Sequence, residues 1–131
     1  MRKSTEVQPT ISVNIKYSTM LIHKNTWKLL GNPEYIQILV NPSDKSIAIC
    51  RSSQIDHLAH RVNSKVFTDA RKPLRIISYA LVHGLQSIYP KWNEDSTYKM
   101  KGKFISHLNI IKFSMDESFL SSRYGNGDGD E

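Results

Sequence analysis

Short apolar segments separated by turn-forming residues constrain the fold of residues 19–51 more tightly than any other feature of the chain. Such a pattern is typical of strands joined by turns. The predicted elements are a strand over 20–22, a short helix that ends at Leu30, and a β-hairpin with strands over 35–40 and 47–50. Asn25 or Thr26 is expected to cap the helix and Gly31 to end it. The stretch therefore predicts a unit of strand, short helix and hairpin.

The second half of the chain repeats this order of elements. Its predicted elements are a strand over 74–77, a helix that is capped by Ser78 and ends at Tyr89, and hairpin strands over 97–105 and 110–115. Residue identity between the halves is negligible, so the order of elements alone supports a duplication. Each unit is too small to bury a core of its own, and a repeated unit of this kind is expected to pack on its copy.

This repetition predicts the fold class and the domain organisation. We expect a β-rich α+β fold in which two strand–helix–hairpin units, residues 11–66 and 67–118, pack as one pseudo-duplicated domain over residues 1–118. A flexible acidic tail is expected over residues 119–131.

Three further expectations concern local structure. Residues 11–17 alternate between apolar and polar and predict a strand, whereas the apolar spacing of residues 52–65 fits a short amphipathic helix. Gly84 inside the second helix suggests that another group packs closely there. The shared core is expected to contain Met20, Ile22, Trp27, Leu30, Ile36, Ile38, Ile47, Ile49, Ile77, Leu81, Leu85, Ile88, Phe104, Ile111 and Phe113.

The net charge of +6 is distributed unevenly along the sequence. Residues 116–131 contain five of the 12 acids and one of the 18 bases, so the rest of the chain is strongly basic. A basic body favours a polyanionic partner such as double-stranded DNA, and it also fits charge that serves solubility alone. The sequence has no membrane-spanning apolar run, no secretory signal and a single cysteine, which leads us to expect a cytoplasmic protein.

The clearest functional signal is the alternation of residues 98–104. Lys99, Lys101 and Lys103 fall on one face of the predicted strand, and Lys112 on the return strand can join them. Residues on the same face of a strand lie about 6.8 Å apart. This is close to the phosphate spacing of about 7 Å that two rises of about 3.4 Å along one DNA strand imply. These lysines are therefore predicted to follow a phosphate backbone without reading bases. The pattern also fits the solvated outer face of a sheet, or lysines that protect an edge strand.

Sequence motifs for catalysis and for cofactor binding are absent. Gly-x-Ser-x-Gly, the P-loop and Gly-x-Gly-x-x-Gly do not occur, and the acids of the body are scattered. His57 and His60, with Cys50, would need a second pair of ligands to form a zinc site. We therefore expect no enzymatic activity, no metal and no cofactor, and we expect Cys50 to fill space in a strand.

Residues 19–51 resemble the swapped-hairpin DNA-binding domain of AbrB and MazE-type regulators. In that family an apolar pair and Pro-Lys lead into a short helix, which is followed by Leu-Gly and a β-hairpin. The corresponding residues here are Met20-Leu21-Ile22-His23-Lys24, then Leu30-Gly31, and hairpin strands over 36–40 and 47–51. This layout covers about a quarter of the chain.

The resemblance implies DNA binding, but this sequence departs from the family at several positions. His23 stands where the family has proline, and residues 32–35 replace its acidic Gly-Asp turn. Lys16, Lys24 and Lys28 are the nearest substitutes for the arginines that family members present to DNA.

These observations support two functional hypotheses. The first is a small non-enzymatic DNA-binding protein, a transcriptional regulator that acts as a homodimer or as a fused pseudo-dimer. The second is an inhibitor or accessory factor that binds a host protein, because the chain is also similar to small proteins of phages and mobile elements in Gram-positive bacteria.

Overall fold

Backbone pairing organises the described part of the chain as one curled antiparallel sheet with two short helices. The computed structural model describes residues 8–53, 60–61 and 73–123. Within these ranges the strands are β1 (Thr10–Asn14), β2 (Thr19–Ile22), β3 (Tyr35–Asn41), β4 (Ser46–Arg51), β5 (His60–Arg61), β6 (Leu74–Ile77), β7 (Ser96–Ile105), β8 (Ile110–Ser114) and β9 (Phe119–Arg123). The helices are α1 (Lys24–Leu29) and α2 (Tyr79–Ile88), and a 3-10 turn covers Met115–Glu117. The predicted β-rich α+β class is confirmed.

The strands follow the order β5-β3-β4-β8-β7-β1-β2-β6, and β9 pairs with the first part of β7. All of these described pairings are antiparallel. The hairpins predicted from the turn residues are present as β3–β4 and β7–β8. They join each other through β4 and β8, while β1 and β2 continue the sheet on the other side of β7.

One face of the sheet carries the core, and we call it the inward face. Pairing places apolar residues opposite one another there, such as Ile49 opposite Ile111 and Ile11 opposite both Ile22 and Met100. The predicted core residues that are fully buried are Met20, Ile22, Trp27, Leu30, Ile36, Ile47, Ile49, Leu85, Ile111 and Phe113. Ile38, Leu81 and Ile88 pack against this cluster and are partly buried. Ten of the 15 predicted core residues are therefore buried, and the described core also contains residues outside that prediction, among them Met100 and Met115.

Two of the predicted core residues are substantially exposed. Ile77 has 71% of its surface accessible, because Leu74 and Ile76 take the inward positions of β6 and its next residue must point outward. Phe104 lies on the inward face and pairs with Ile111. It is close to the turn of the β7–β8 hairpin, and 38% of its surface is accessible. Strand periodicity assigns a face, whereas burial also requires a neighbouring element to cover that face.

The first helix begins differently from the prediction. His23 occupies the position before α1, and its side chain does not cap the helix. The Thr26 hydroxyl instead accepts a hydrogen bond from the Thr10 N–H at 2.9 Å and donates one to the Thr10 carbonyl at 2.8 Å. A residue expected to cap its own helix therefore ties α1 to β1. Gly31 ends the helix as predicted, with a φ of 88°.

The second helix follows its predicted start but not its predicted packing. The Ser78 hydroxyl accepts a hydrogen bond from the Leu81 N–H at 3.1 Å, which confirms the cap. Gly84 lies on the exposed side, and a methyl group added there would meet no neighbouring group within 4 Å. The expected close approach at Gly84 is therefore absent, because Val82 and Leu85 form the buried side of α2.

Two segments at the margins also differ from expectation. His60–Arg61 forms β5 beside β3, where a short helix was expected, and the remaining residues over 54–59 and 62–66 lie outside the described ranges. Phe119–Arg123 forms β9 along β7, where a flexible tail was expected to begin, and residues 124–131 lie outside the described ranges. Ser118, just before β9, accepts a hydrogen bond from the Trp92 indole N–H at 3.0 Å. This contact anchors the start of β9 to the core.

Gly102 is the position on β7 where a side chain cannot be accommodated. It pairs with Phe113, and an added Cβ would lie 2.6 Å from Cε2 of that ring and 2.9 Å from the carbonyl oxygen of Lys112. Both neighbours are fixed, one by burial and the other by the backbone. The Phe113 ring therefore packs directly on the β7 backbone.

We expect Gly102→Ala to lower the free energy of unfolding by about 1–3 kcal/mol, the usual cost of overpacking. Gly84→Ala is the matched control, because the same substitution in an exposed helix interior should raise that free energy by up to about 1 kcal/mol. Denaturant unfolding of both variants measures the two effects. Equal effects of the two substitutions would contradict the packing described for Gly102.

Candidate anion-binding face and cleft

The lysines of β7 occupy the sheet face opposite the core, which we call the outward face. Lys99, Lys101 and Lys103 alternate with residues of the inward face, where Tyr98 and Met100 are buried. Lys101 and Lys103 are exposed, and Lys99 is half-buried. The face assignment made from the alternation of the sequence is therefore reproduced.

Lys112 extends this group onto the neighbouring strand, directly opposite Lys103. We call Lys99, Lys101, Lys103 and Lys112 the lysine ladder. The Lys112 Nζ lies 3.0 Å from Oδ2 of Asp44, and both side chains are nearly half exposed. The Ser46 hydroxyl donates to the other oxygen of Asp44 at 2.5 Å. Hydrogen bonds from Ser46 and then from Lys112 hold the pKa of the Asp44 carboxyl below its usual value.

The other three lysines predicted as DNA contacts are not part of this ladder. Lys24 and Lys28 belong to α1, which packs its Trp27 into the core, and the Lys24 Nζ lies 5.8 Å from the Trp27 ring centroid. Lys16 is exposed in the turn between β1 and β2, with its Nζ 5.6 Å from the ring centroid of Tyr17. The predicted basic residues therefore fall into at least two separate groups.

A cleft of about 400 Å³ opens on the outward face beside the ladder. It lies across β1, β2, β6 and β7 and includes one end of the ladder, because Lys99 is among its walls. Its lining residues are Ser12, Asn14, Tyr17, Thr19, Leu21, His23, Arg75, Thr97, Lys99 and Ser121. Strands from the beginning, middle and end of the chain thus contribute to one recess.

Strand register explains how these residues meet. Lys99 pairs with Ser12, Ser12 with Leu21, and Leu21 with Arg75, so one row crosses four strands on the outward face. The next row consists of Thr97, Asn14, Thr19 and Ile77. A row with a basic residue at each end therefore lies beside a row that contains two threonines and an asparagine.

The lining of this cleft is basic. It contains Arg75, Lys99 and His23, and none of the described residues that line it is an aspartate or glutamate. The His23 Nε2 lies 3.1 Å from the Ser12 Oγ. Burial, and secondarily the positive charge of Lys99, lower the pKa of His23 below its usual value of 6.5. The recess is therefore suited to a negatively charged ligand.

Sequence reasoning identified Lys99 but missed the rest of this cleft. Arg75 is an outward residue of the short strand β6, between two inward apolar residues. This alternation was the available sequence signal for Arg75. Ser12 and His23 offered no signal, because their role depends on which strands pair. Cys50 lies half-buried on β4, and His57 lies outside the described ranges. Within those ranges no group of three or more metal-binding side chains is found.

A scan against protein-family models found no match to this chain. Comparisons with curated proteins and with solved structures also found no match. Among the helices in the described part of the chain, none combines the length and the apolar character needed to cross a membrane. The resemblance to AbrB and MazE-type regulators therefore stays a prediction.

The environment of His23 predicts a measurable pKa effect. Replacing Lys99 with Gln should raise the pKa of His23, because a nearby positive charge is removed, yet leave it below 6.5, because burial remains. NMR titration of the His23 ring protons measures both values, and Lys101→Gln is the matched control. A pKa that does not respond to Lys99→Gln would place the ammonium group too far from the ring.

Proposed function

We propose that this protein is a small non-enzymatic DNA-binding protein. In this proposal it is a transcriptional regulator whose lysine ladder binds the phosphate backbone of double-stranded DNA. The observation that carries the proposal is the placement of Lys99, Lys101 and Lys103 on the outward face of β7, with Lys112 directly beside Lys103. Side chains on one face of a strand recur every 6–7 Å or so, which suits successive phosphates of one DNA strand.

The surroundings of the ladder support an anionic partner. Direct opposition of Lys103 and Lys112 places like charges side by side, an arrangement that destabilises an antiparallel pair. The ion pair between Lys112 and Asp44 offsets this repulsion. Both side chains are nearly half exposed, and exposed ion pairs contribute little to stability. A DNA phosphate could therefore replace Asp44 at Lys112 at low cost.

The pairing of strands supports the proposed duplication. The units β2-α1-β3-β4 and β6-α2-β7-β8 follow the same order, and their equivalent strands pair with each other, β2 with β6 and β4 with β8. Lys45 and Asn109 both have positive φ in the residue that precedes the return strand of each hairpin. We infer that the two units form a pseudo-dimer within one chain, the arrangement expected of a fused DNA-binding pair.

Strand pairing also joins the two units. With the predicted bounds of 11–66 and 67–118, β1 of the first unit pairs with β7 of the second, whereas β5 pairs with β3 inside the first unit. The pairings β1–β7, β2–β6 and β4–β8 all cross between the units, which explains why we expect neither to be stable alone.

Salt dependence provides the decisive experiment. Four lysine–phosphate contacts imply that the logarithm of the binding constant for duplex DNA falls with the logarithm of salt concentration with a slope of about −3.6. The quadruple variant with Gln at positions 99, 101, 103 and 112 should flatten that slope toward zero. A triple variant with Gln at 16, 24 and 28 is the matched control and should retain it. Gel-shift or fluorescence titrations at several salt concentrations give the slopes.

A single substitution tests the role of Asp44. Asp44→Asn should strengthen duplex binding several-fold, because it frees Lys112 from its carboxylate partner. An unchanged slope in the quadruple lysine variant would exclude the ladder as the contact surface. Absence of any DNA binding at low salt would favour a protein partner instead.

A further inference from the structure

The cleft differs from the exposed part of the lysine ladder because it has walls. Ser12 is only 5% exposed, while His23 and Lys99 are half-buried. Charges that are partly withdrawn from water act on a ligand more strongly than fully exposed ones. The cleft is therefore the place on the outward face where an anion would be held most firmly.

Register brings the lysine and the arginine of the described lining toward the same ligand. Three inter-strand steps separate Lys99 from Arg75, so their Cα atoms lie roughly 14 Å apart. Both have long side chains that can turn toward a group bound between them. Thr97 and Thr19, in the next row, add uncharged hydrogen-bonding groups on the same side.

We propose that this cleft binds a phosphate monoester, with the phosphate held by Lys99, His23 and Ser12 and the esterified group lying over Leu21 toward Arg75. A volume of about 400 Å³ accommodates more than a phosphate alone and falls in the range usual for small-molecule sites. The proposal goes beyond backbone contact with duplex DNA, which requires only the lysine ladder.

The bound phosphate would change the protonation of His23. In the free protein burial and Lys99 disfavour the charged ring, whereas a dianion beside the ring favours it. Among the described residues that line the cleft, Lys99 and Arg75 are the charged ones beside His23, and Tyr17 is the other titratable one. Binding should therefore be accompanied by proton uptake.

The test is titration of the full chain with inorganic phosphate and with sulfate, followed by calorimetry and by NMR of the His23 ring. Saturable binding at one site is expected for both ions. Lys99→Gln should weaken it about tenfold, as expected for loss of a charge-assisted contact, whereas Arg75→Gln should weaken the binding of AMP more than that of either ion, because only AMP has an esterified group to reach Arg75. Lys103→Gln is the matched control on the same face outside the cleft and should change ion binding less than twofold.

Sulfate distinguishes protonation of His23 from protonation of the ligand, because phosphate itself takes up a proton near neutral pH. Sulfate stays a dianion near neutral pH, so sulfate binding that tightens as the pH falls toward the lowered pKa of His23 supports the role of that ring. His23→Gln should abolish that pH dependence. Absence of saturable binding of either ion, or an equal loss in Lys103→Gln, overturns the proposal.

Two further comparisons distinguish the sources of the phosphate. Tighter binding of AMP than of adenosine indicates a free nucleotide, and tighter binding of a 5′-phosphorylated oligonucleotide than of its 5′-hydroxyl form indicates a nucleic-acid end. Either result supports the site, and failure of both overturns it. Arg75 lies outside the ladder, so duplex DNA binding that survives Arg75→Gln but falls in Lys103→Gln keeps the two proposals separate.

Discussion

Backbone pairing of β7 is the constraint on which the rest of the sheet depends. Its first half is flanked by β1 and β9, and its second half pairs with β8. This strand therefore connects the N-terminal hairpin, the two central hairpins and the last described strand. Buried backbone groups must find partners, so the position of β7 determines where each of these segments lies. The same strand carries three of the four ladder lysines.

The two faces of β7 have opposite requirements. Inward, Tyr98, Met100 and Gly102 pack tightly, and Gly102 leaves room for the Phe113 ring. Outward, Lys101 and Lys103 project into solvent with little to hold them. The packed face fixes the positions of the lysine Cα atoms, while the side chains of Lys101 and Lys103 are exposed to solvent. A fixed row of exposed cations suits a partner whose charges are regularly spaced but not individually distinguished.

Local sequence patterns predicted what depends on local geometry. The period of two placed Lys99 and Met100 on opposite faces, and Gly31 ended a helix because of its backbone freedom. The cleft could not be predicted in this way, because Ser12, Arg75 and Lys99 become neighbours only through long-range pairing. Thr26 shows the same limit, since its hydroxyl bonds to β1 rather than to its own helix. Tertiary contacts overrode local preference at these positions.

The ladder occupies only one of the two proposed units. In the first hairpin, Tyr35, Gln37 and Leu39 take the strand positions that correspond to Lys99, Lys101 and Lys103, and Ala48 takes that of Lys112. A symmetric pair of subunits presents identical surfaces and suits an inverted repeat, which reads the same in both directions. A fused pair with the ladder on one hairpin only has lost that equivalence. Such a protein would bind its target with a defined polarity, its β7–β8 hairpin toward one end and its β3–β4 hairpin available for a different neighbour.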